Sequence, residues 1–120
     1  MKAILIDVVN REIKEIDINN ENEAHILVDL YKIIGCEMVE AVDVNENHTI
    51  FVDEEGLLTL RTDSQFFQWG DNDPLVGNGV IVGIDLETGN VIPCTMEVED
   101  VKEMVTFWNL RKVESGMYRK

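Results

Sequence analysis

Long apolar runs are missing from this chain of 120 residues. A helix that crosses a bilayer needs roughly 20 consecutive apolar residues, and no stretch here approaches that length. The start of the chain lacks the basic n-region, long apolar stretch and small-residue cleavage site of a secretory signal. A cytoplasmic location is therefore expected. Cysteine is scarce: Cys36 and Cys94 are far apart, form no Cys-x-x-Cys and have no histidine at metal-ligand spacing. They read as reduced, partly buried small hydrophobes. Serine and histidine are equally sparse. Ser64 and Ser115 sit in no nucleophile elbow, and His25 and His48 give no triad. No catalytic residue is assigned, and the chain reads as a protein that is not an enzyme.

The most informative shortage is of positive charge. Net charge is −14, and between residues 33 and 101 fifteen acids face a single base, Arg61. The ends behave differently, at −3 for residues 1–32 and +3 for residues 102–120. A field of this sign repels phosphate backbones and anionic membranes. Direct nucleic-acid binding and membrane binding are thus not expected. The same field attracts basic protein surfaces and keeps the chain soluble.

What is present suffices for one folded domain. Hydrophobic residues make up 45% of the chain, enough for a core without disulfide or metal staples. Ala3-Ile4-Leu5-Ile6-Asp7-Val8-Val9 and Glu12 to Ile18 predict an N-terminal hairpin turning at Asn10-Arg11. Residues 21–34 predict the first helix, with apolar positions at 24, 27, 28, 31 and 34. Asn20 with Glu23 resembles a capping box at its start, and Gly35 suits its end. Cys36 to Val44 and Thr49 to Val52 predict a second hairpin with a polar tip, which residues 57–60 extend. Residues 61–79 predict a long ordered loop with one helical turn, the kind of segment that often carries function. Val80 to Leu86 predicts a central strand, turning at Glu87-Thr88-Gly89-Asn90 into Val91-Ile92, with Pro93 marking an edge. Residues 96–112 predict a second helix, capped by Thr95. The expected fold is α+β, with an antiparallel sheet of about five to seven strands and two helices. One domain is expected over 1–113, with a frayed tail over 114–120. Edge strands offer a route to a dimer, but nothing compels one.

Three motifs compete for chemistry. Asp43 to Glu54 has oxygen ligands at positions 1, 3, 5 and 12 of a calcium loop. His48 stands where glycine is needed, and the flanks read as strands rather than helices, so a hairpin is the better reading. Gly77-Asn78-Gly79 precedes a strand, whereas a dinucleotide fingerprint follows one. The aromatics Phe66, Phe67, Trp69, Phe107 and Trp108 are expected in the core rather than in a stacking platform. No metal and no cofactor are assigned.

The order of strands and helix, the run Val52-Asp53-Glu54-Glu55-Gly56 and the run Gly77-Asn78-Gly79-Val80-Ile81-Val82-Gly83 resemble a family of small proteins of unknown function. That family occurs in bacteriophages, mobile elements and their bacterial hosts. The resemblance covers roughly residues 1–95 and implies a phage or mobile-element accessory protein, with no established activity attached. The leading functional expectation is binding to a basic surface of a host or phage protein. The candidate acidic face comprises Glu37, Glu40, Asp43, Glu46, Asp53, Glu54 and Glu55. Two alternatives stand beside it. One is a DNA-mimic inhibitor of a host defence nuclease. The other is a nucleotide-binding protein whose ligand loop would use Arg61, Trp69, Asp71 and Asp73.

Overall fold

The computed structural model describes residues 1–56 and 64–109, with only the backbone of Asn109. Its main sheet begins with strands β1 (Lys2–Asp7) and β2 (Glu12–Asp17), which form the expected hairpin. Helix α1 (Glu23–Ile34) follows, then the hairpin of β3 (Val39–Asn45) and β4 (His48–Asp53). Strands β5 (Gln65–Trp69) and β6 (Leu75–Val76) belong to a second sheet. Strand β7 (Gly79–Ile84) returns to the main sheet and pairs back on β8 (Val91–Ile92). Helix α2 (Val98–Met104) leads into β9 (Val105–Asn109), which closes the second sheet beside β5. The main sheet runs β2-β1-β7-β4-β3, all antiparallel, with β8 on β7 beyond the end of β1. The second runs β6-β5-β9. The architecture is α+β.

Strand periodicity sorts the core into two layers. Ala3, Leu5, Val80 and Val82 point to the side covered by α1, where Ile18, Ile26 and Leu30 join them. Ile4, Ile6, Ile50, Val52 and Ile81 point to the other side, where Phe67, Trp69 and Val101 cover them. A strand covered on both faces has no reason to alternate polar and apolar residues. That is why β1 and β7 read as continuous apolar runs.

Two glycines make the layers fit. A Cβ on Gly79 would lie 2.7 Å from the Phe67 ring and 2.9 Å from Ile50. A Cβ on Gly83 would lie 2.5 Å from the carbonyl oxygen of Pro93. The glycine-rich run thus serves close packing around β7. At the far end of β1, the Asn78 side chain accepts the Val8 N–H at 2.9 Å. Asp7 ties the first turn together by accepting from the Val9 and Asn10 backbones and from the Asn10 side chain. Burial opposes its charge, but the bonds from Asn10 and Val9, with Lys14 nearby, outweigh it and lower the carboxyl's pKa.

Several local expectations need correction. Helix α1 is capped by Asn22, whose side chain accepts the His25 N–H at 2.9 Å, rather than by Asn20. Gly35 ends it in the left-handed conformation, as expected. Residues 65–69, expected within a loop carrying a helical turn, form a strand, because Phe67 and Trp69 alternate onto the core. Helix α2 starts after Glu97, whose N–H is accepted by Asp100, and Thr95 does not cap it. It ends at Met104, not at 112. The helical spacing of Val101, Met104, Val105 and Trp108 competes with the β-preferring run Val105-Thr106-Phe107-Trp108, and pairing with β5 decides for the strand. The expected strand over 57–60 and the tail over 114–120 lie outside the described residues. No helix among the described residues is long and apolar enough to cross a membrane.

Gly79→Ala tests the packing at β7. Phe67 is fully buried and has no room to withdraw, so the added methyl should cost about 1–3 kcal/mol and lower Tm by several degrees. An unchanged Tm in thermal unfolding would refute the close approach.

Candidate partner-binding site

Seven acids of the sequence-derived face lie on or beside the β3–β4 hairpin, but they do not share one face. The ladder places Glu40 opposite Val52 and Asp43 opposite Thr49. Val52 belongs to the layer under the second sheet, with Val42 and Val44 packed against it. Val39 and Phe51 pack into the layer under α1. Alternation along β3 therefore puts Glu40 on the second-sheet side and Asp43 on the helix side. Glu46 sits at the tip. Asp53, Glu54 and Glu55 lie at the base with Glu37, about 20 Å from the tip at ~3.3 Å per residue. The arrangement is an acidic rim along an edge strand. Among the described residues, no ion pair engages Glu37, Glu40, Asp43 or Glu46. Two of the described lysines pair elsewhere: Lys2 lies 3.4 Å from Glu97 and 3.8 Å from Glu15, and Lys102 lies 3.7 Å from Glu99.

The loop candidates partly join this rim. Asp71 and Asp73 are exposed and line an open recess of about 460 Å³ together with Val42 of β3 and Leu75 of β6. Asp71 and Asp73 thus lie beside Val42, on the second-sheet face of β3. Trp69 does not join them; it is buried in the core at 6% exposure. Arg61 lies outside the described residues. The turn is fixed by the Asn72 N–H donating to the Trp69 carbonyl and by the Gln68 side chain donating to the Asn72 carbonyl.

Backbone bonds show which edge of β3 is open. The Glu54 N–H donates to the Met38 carbonyl, and Met38 and Glu54 stand opposite each other in the same register. In an antiparallel ladder, bonded and non-bonded pairs alternate. Glu40 and Val42 therefore turn their N–H and C=O groups to β4. The Thr49 hydroxyl, which donates to the Val42 carbonyl at 3.1 Å, agrees with this. Val39, Ala41 and Asp43 turn theirs outward, and among the described residues no strand pairs with them.

The tip is anchored by His48, which the sequence places at a polar hairpin tip. His48 is 6% exposed. Its Nε2 accepts the Thr95 N–H at 3.2 Å, with Thr95 Oγ1 at 3.1 Å. That leaves Nδ1 to donate to Asn45 Oδ1 at 3.1 Å, and the same oxygen accepts the Asn47 N–H. Asn45 is committed to the turn, and strands flank it on both sides, as the hairpin reading requires. Among the described residues, no group of three or more His, Cys, Asp or Glu side chains is placed to hold a metal ion. Cys36 and Cys94 are both free thiols. Burial pushes both pKa values up, with the Asp53 charge adding to the rise at Cys36.

A second cavity, of about 400 Å³, lies between the start of α1 and the β7–β8 turn. Apolar Leu30, Phe51 and Val91 and polar Asn20, Asn22 and Asn90 are among the residues that line it. Its residues come from three separate stretches, 20–30, 51 and 89–91, so no local pattern in the sequence could have revealed it.

Burial lowers the His48 pKa, which fixes the sign of a pH effect. Above the unfolded value, about 6.5, the clasp contributes in full. As pH falls through that value and then through the lower folded one, the unfolded chain takes up a proton that the folded chain resists, and stability is lost. Tm should therefore decline between pH 7 and pH 5, and His48→Gln should flatten that decline. Equal slopes for the two proteins would remove His48 as the cause.

No curated protein and no solved structure matches this chain. One family description does match, over residues 1–106: a domain of unknown function, DUF3846. That match spans both sheets almost entirely and both helices, and the chain belongs to the DUF3846 family.

Proposed function

We propose that this protein is a non-enzymatic binding protein that docks on a basic surface of another protein through its acidic β3–β4 rim. One observation carries the reading: Glu37, Glu40, Asp43 and Glu46 are exposed on an edge hairpin, and no ion pair among the described residues engages them. Asp71 and Asp73 add two more carboxylates beside Val42. Charges of one sign at a contact surface raise association rate and enforce specificity. The net charge of −14 extends that attraction beyond the contact itself. The resemblance described above supports an accessory role in a phage or mobile element, acting in the bacterial cytoplasm on a host or phage protein.

The reading is tested by neutralising the rim. The variant Glu37→Gln/Glu40→Gln/Asp43→Asn/Glu46→Gln should lose partners captured from a bacterial extract. A control with Glu12→Gln, Glu15→Gln, Asp17→Asn and Glu23→Gln removes as many charges elsewhere and should keep them. Affinity for a captured partner should fall steeply as salt rises. Binding that is insensitive to salt, or lost equally in both variants, would refute docking through the rim.

A further inference from the structure

We propose that the partner contributes an extended basic segment that adds, as a further strand of the main sheet, to the edge of β3 that no strand among the described residues covers. The inference rests on the docking reading above and specifies its partner. Three independent features of β3 converge on it.

The first is the backbone. Val39, Ala41 and Asp43 present outward N–H and C=O groups along a strand of seven residues. An edge of this kind is the template used in β-strand addition, where main-chain bonds supply affinity and side-chain positions supply specificity. The second is charge. The edge carries Glu40 on one face and Asp43 on the other, with Glu46 at the end. A second copy of this chain brought edge to edge would set carboxylates against carboxylates, which disfavours self-pairing. A basic segment gains where a copy loses.

The third is the recess at Val42. A residue placed opposite Val42 points to the second-sheet side, over Val42 and Leu75 and toward Asp71 and Asp73. A lysine or arginine suits this position, since its stem covers apolar surface while its charge reaches the carboxylates. Adding the positions opposite Glu40 and Asp43 gives a pattern. Basic residues face 40, 42 and 43, and an uncharged β-former faces Ala41. The register break between Asp43 and Asn45 limits regular pairing to the segment before it.

The probe is the blocked peptide acetyl-Thr-Lys-Val-Lys-Lys-Val-Lys-Thr-amide, whose palindromic core meets the pattern in either strand direction. Its control replaces both valines by proline, which keeps the charge and forbids the strand. Amide hydrogen exchange in the unmodified protein is the deciding measurement. With the valine peptide, the amides of Val39, Ala41 and Asp43 should exchange about tenfold more slowly or better, and the proline peptide should leave them unchanged. Ala41→Pro removes one outward N–H without touching the ladder to β4 or the net charge. It should weaken the valine peptide by about tenfold, and Asp71→Asn/Asp73→Asn should weaken it and reduce its salt dependence. If Ala41→Pro does not fold, the exchange result stands alone. Equal binding of both peptides with no protection of the outward amides would overturn strand addition and leave rim docking intact. Failure of the valine peptide to bind at low salt would overturn strand addition as well, while loss of partner capture in the rim variant would still sustain the docking reading.

Discussion

Strand β7 hydrogen-bonds to β1, β4 and β8 and leaves neither face to water. Val80, Ile81 and Val82 are fully buried, two toward α1 and one toward the second sheet. Glycine at 79 and 83 lets the Phe67 ring and the Pro93 carbonyl approach closer than any side chain would permit. Once β7 is enclosed, the rest follows. Strand β4 must lie on one side of it and β1 on the other, and β3 and β2 are left as the outer strands. The acidic rim is therefore a consequence of where the core closes. β3 is one of the two strands left at the edges of the main sheet.

The same enclosure explains what could be read in advance. The hairpin of β1 and β2, helix α1 with its Gly35 stop, the hairpin of β3 and β4 and the central β7 all follow from local pattern, since turn residues and periodicity agree there. The misreadings have two causes, one local and one distant. Asn20 and Asn22 are both fit to cap α1, and the choice rests on which side chain reaches the His25 N–H. Phe66-Phe67-Gln68-Trp69 is flanked by loop chemistry, and only its partner β9, some 40 residues later in the chain, makes it a strand. Val105 to Trp108 fits a helix by spacing and a strand by side-chain type, and that same distant pairing settles it. In both of these strands a non-local contact overrides local preference.

The candidate site was legible as composition and not as shape. The sequence shows the acids as a concentration of charge, but strand alternation divides them between two faces, turning an expected face into a rim. It also keeps Asp71 and Asp73 apart from Val42, because nothing local says that the turn after β5 folds against β3. His48 was obscured for the opposite reason. A histidine among asparagines at a hairpin tip reads as solvated, and its burial depends on Thr95 arriving from 47 residues away.

A rim of carboxylates costs the fold little. Glu40 and Asp43 stand about 10 Å apart along the strand, where two like charges in water repel by only about 0.4 kcal/mol, before salt screens them further. The same charges matter more once a partner excludes water from around them, because attraction to a basic side chain strengthens as the local dielectric falls. They also act asymmetrically. Against another copy of this edge they set like charge on like charge, and against a basic strand they set opposite charge on opposite charge. Specificity is a difference between such affinities. An edge strand guarded by acids is thus closed to its own kind while its outward amides and carbonyls stay available to a cationic chain.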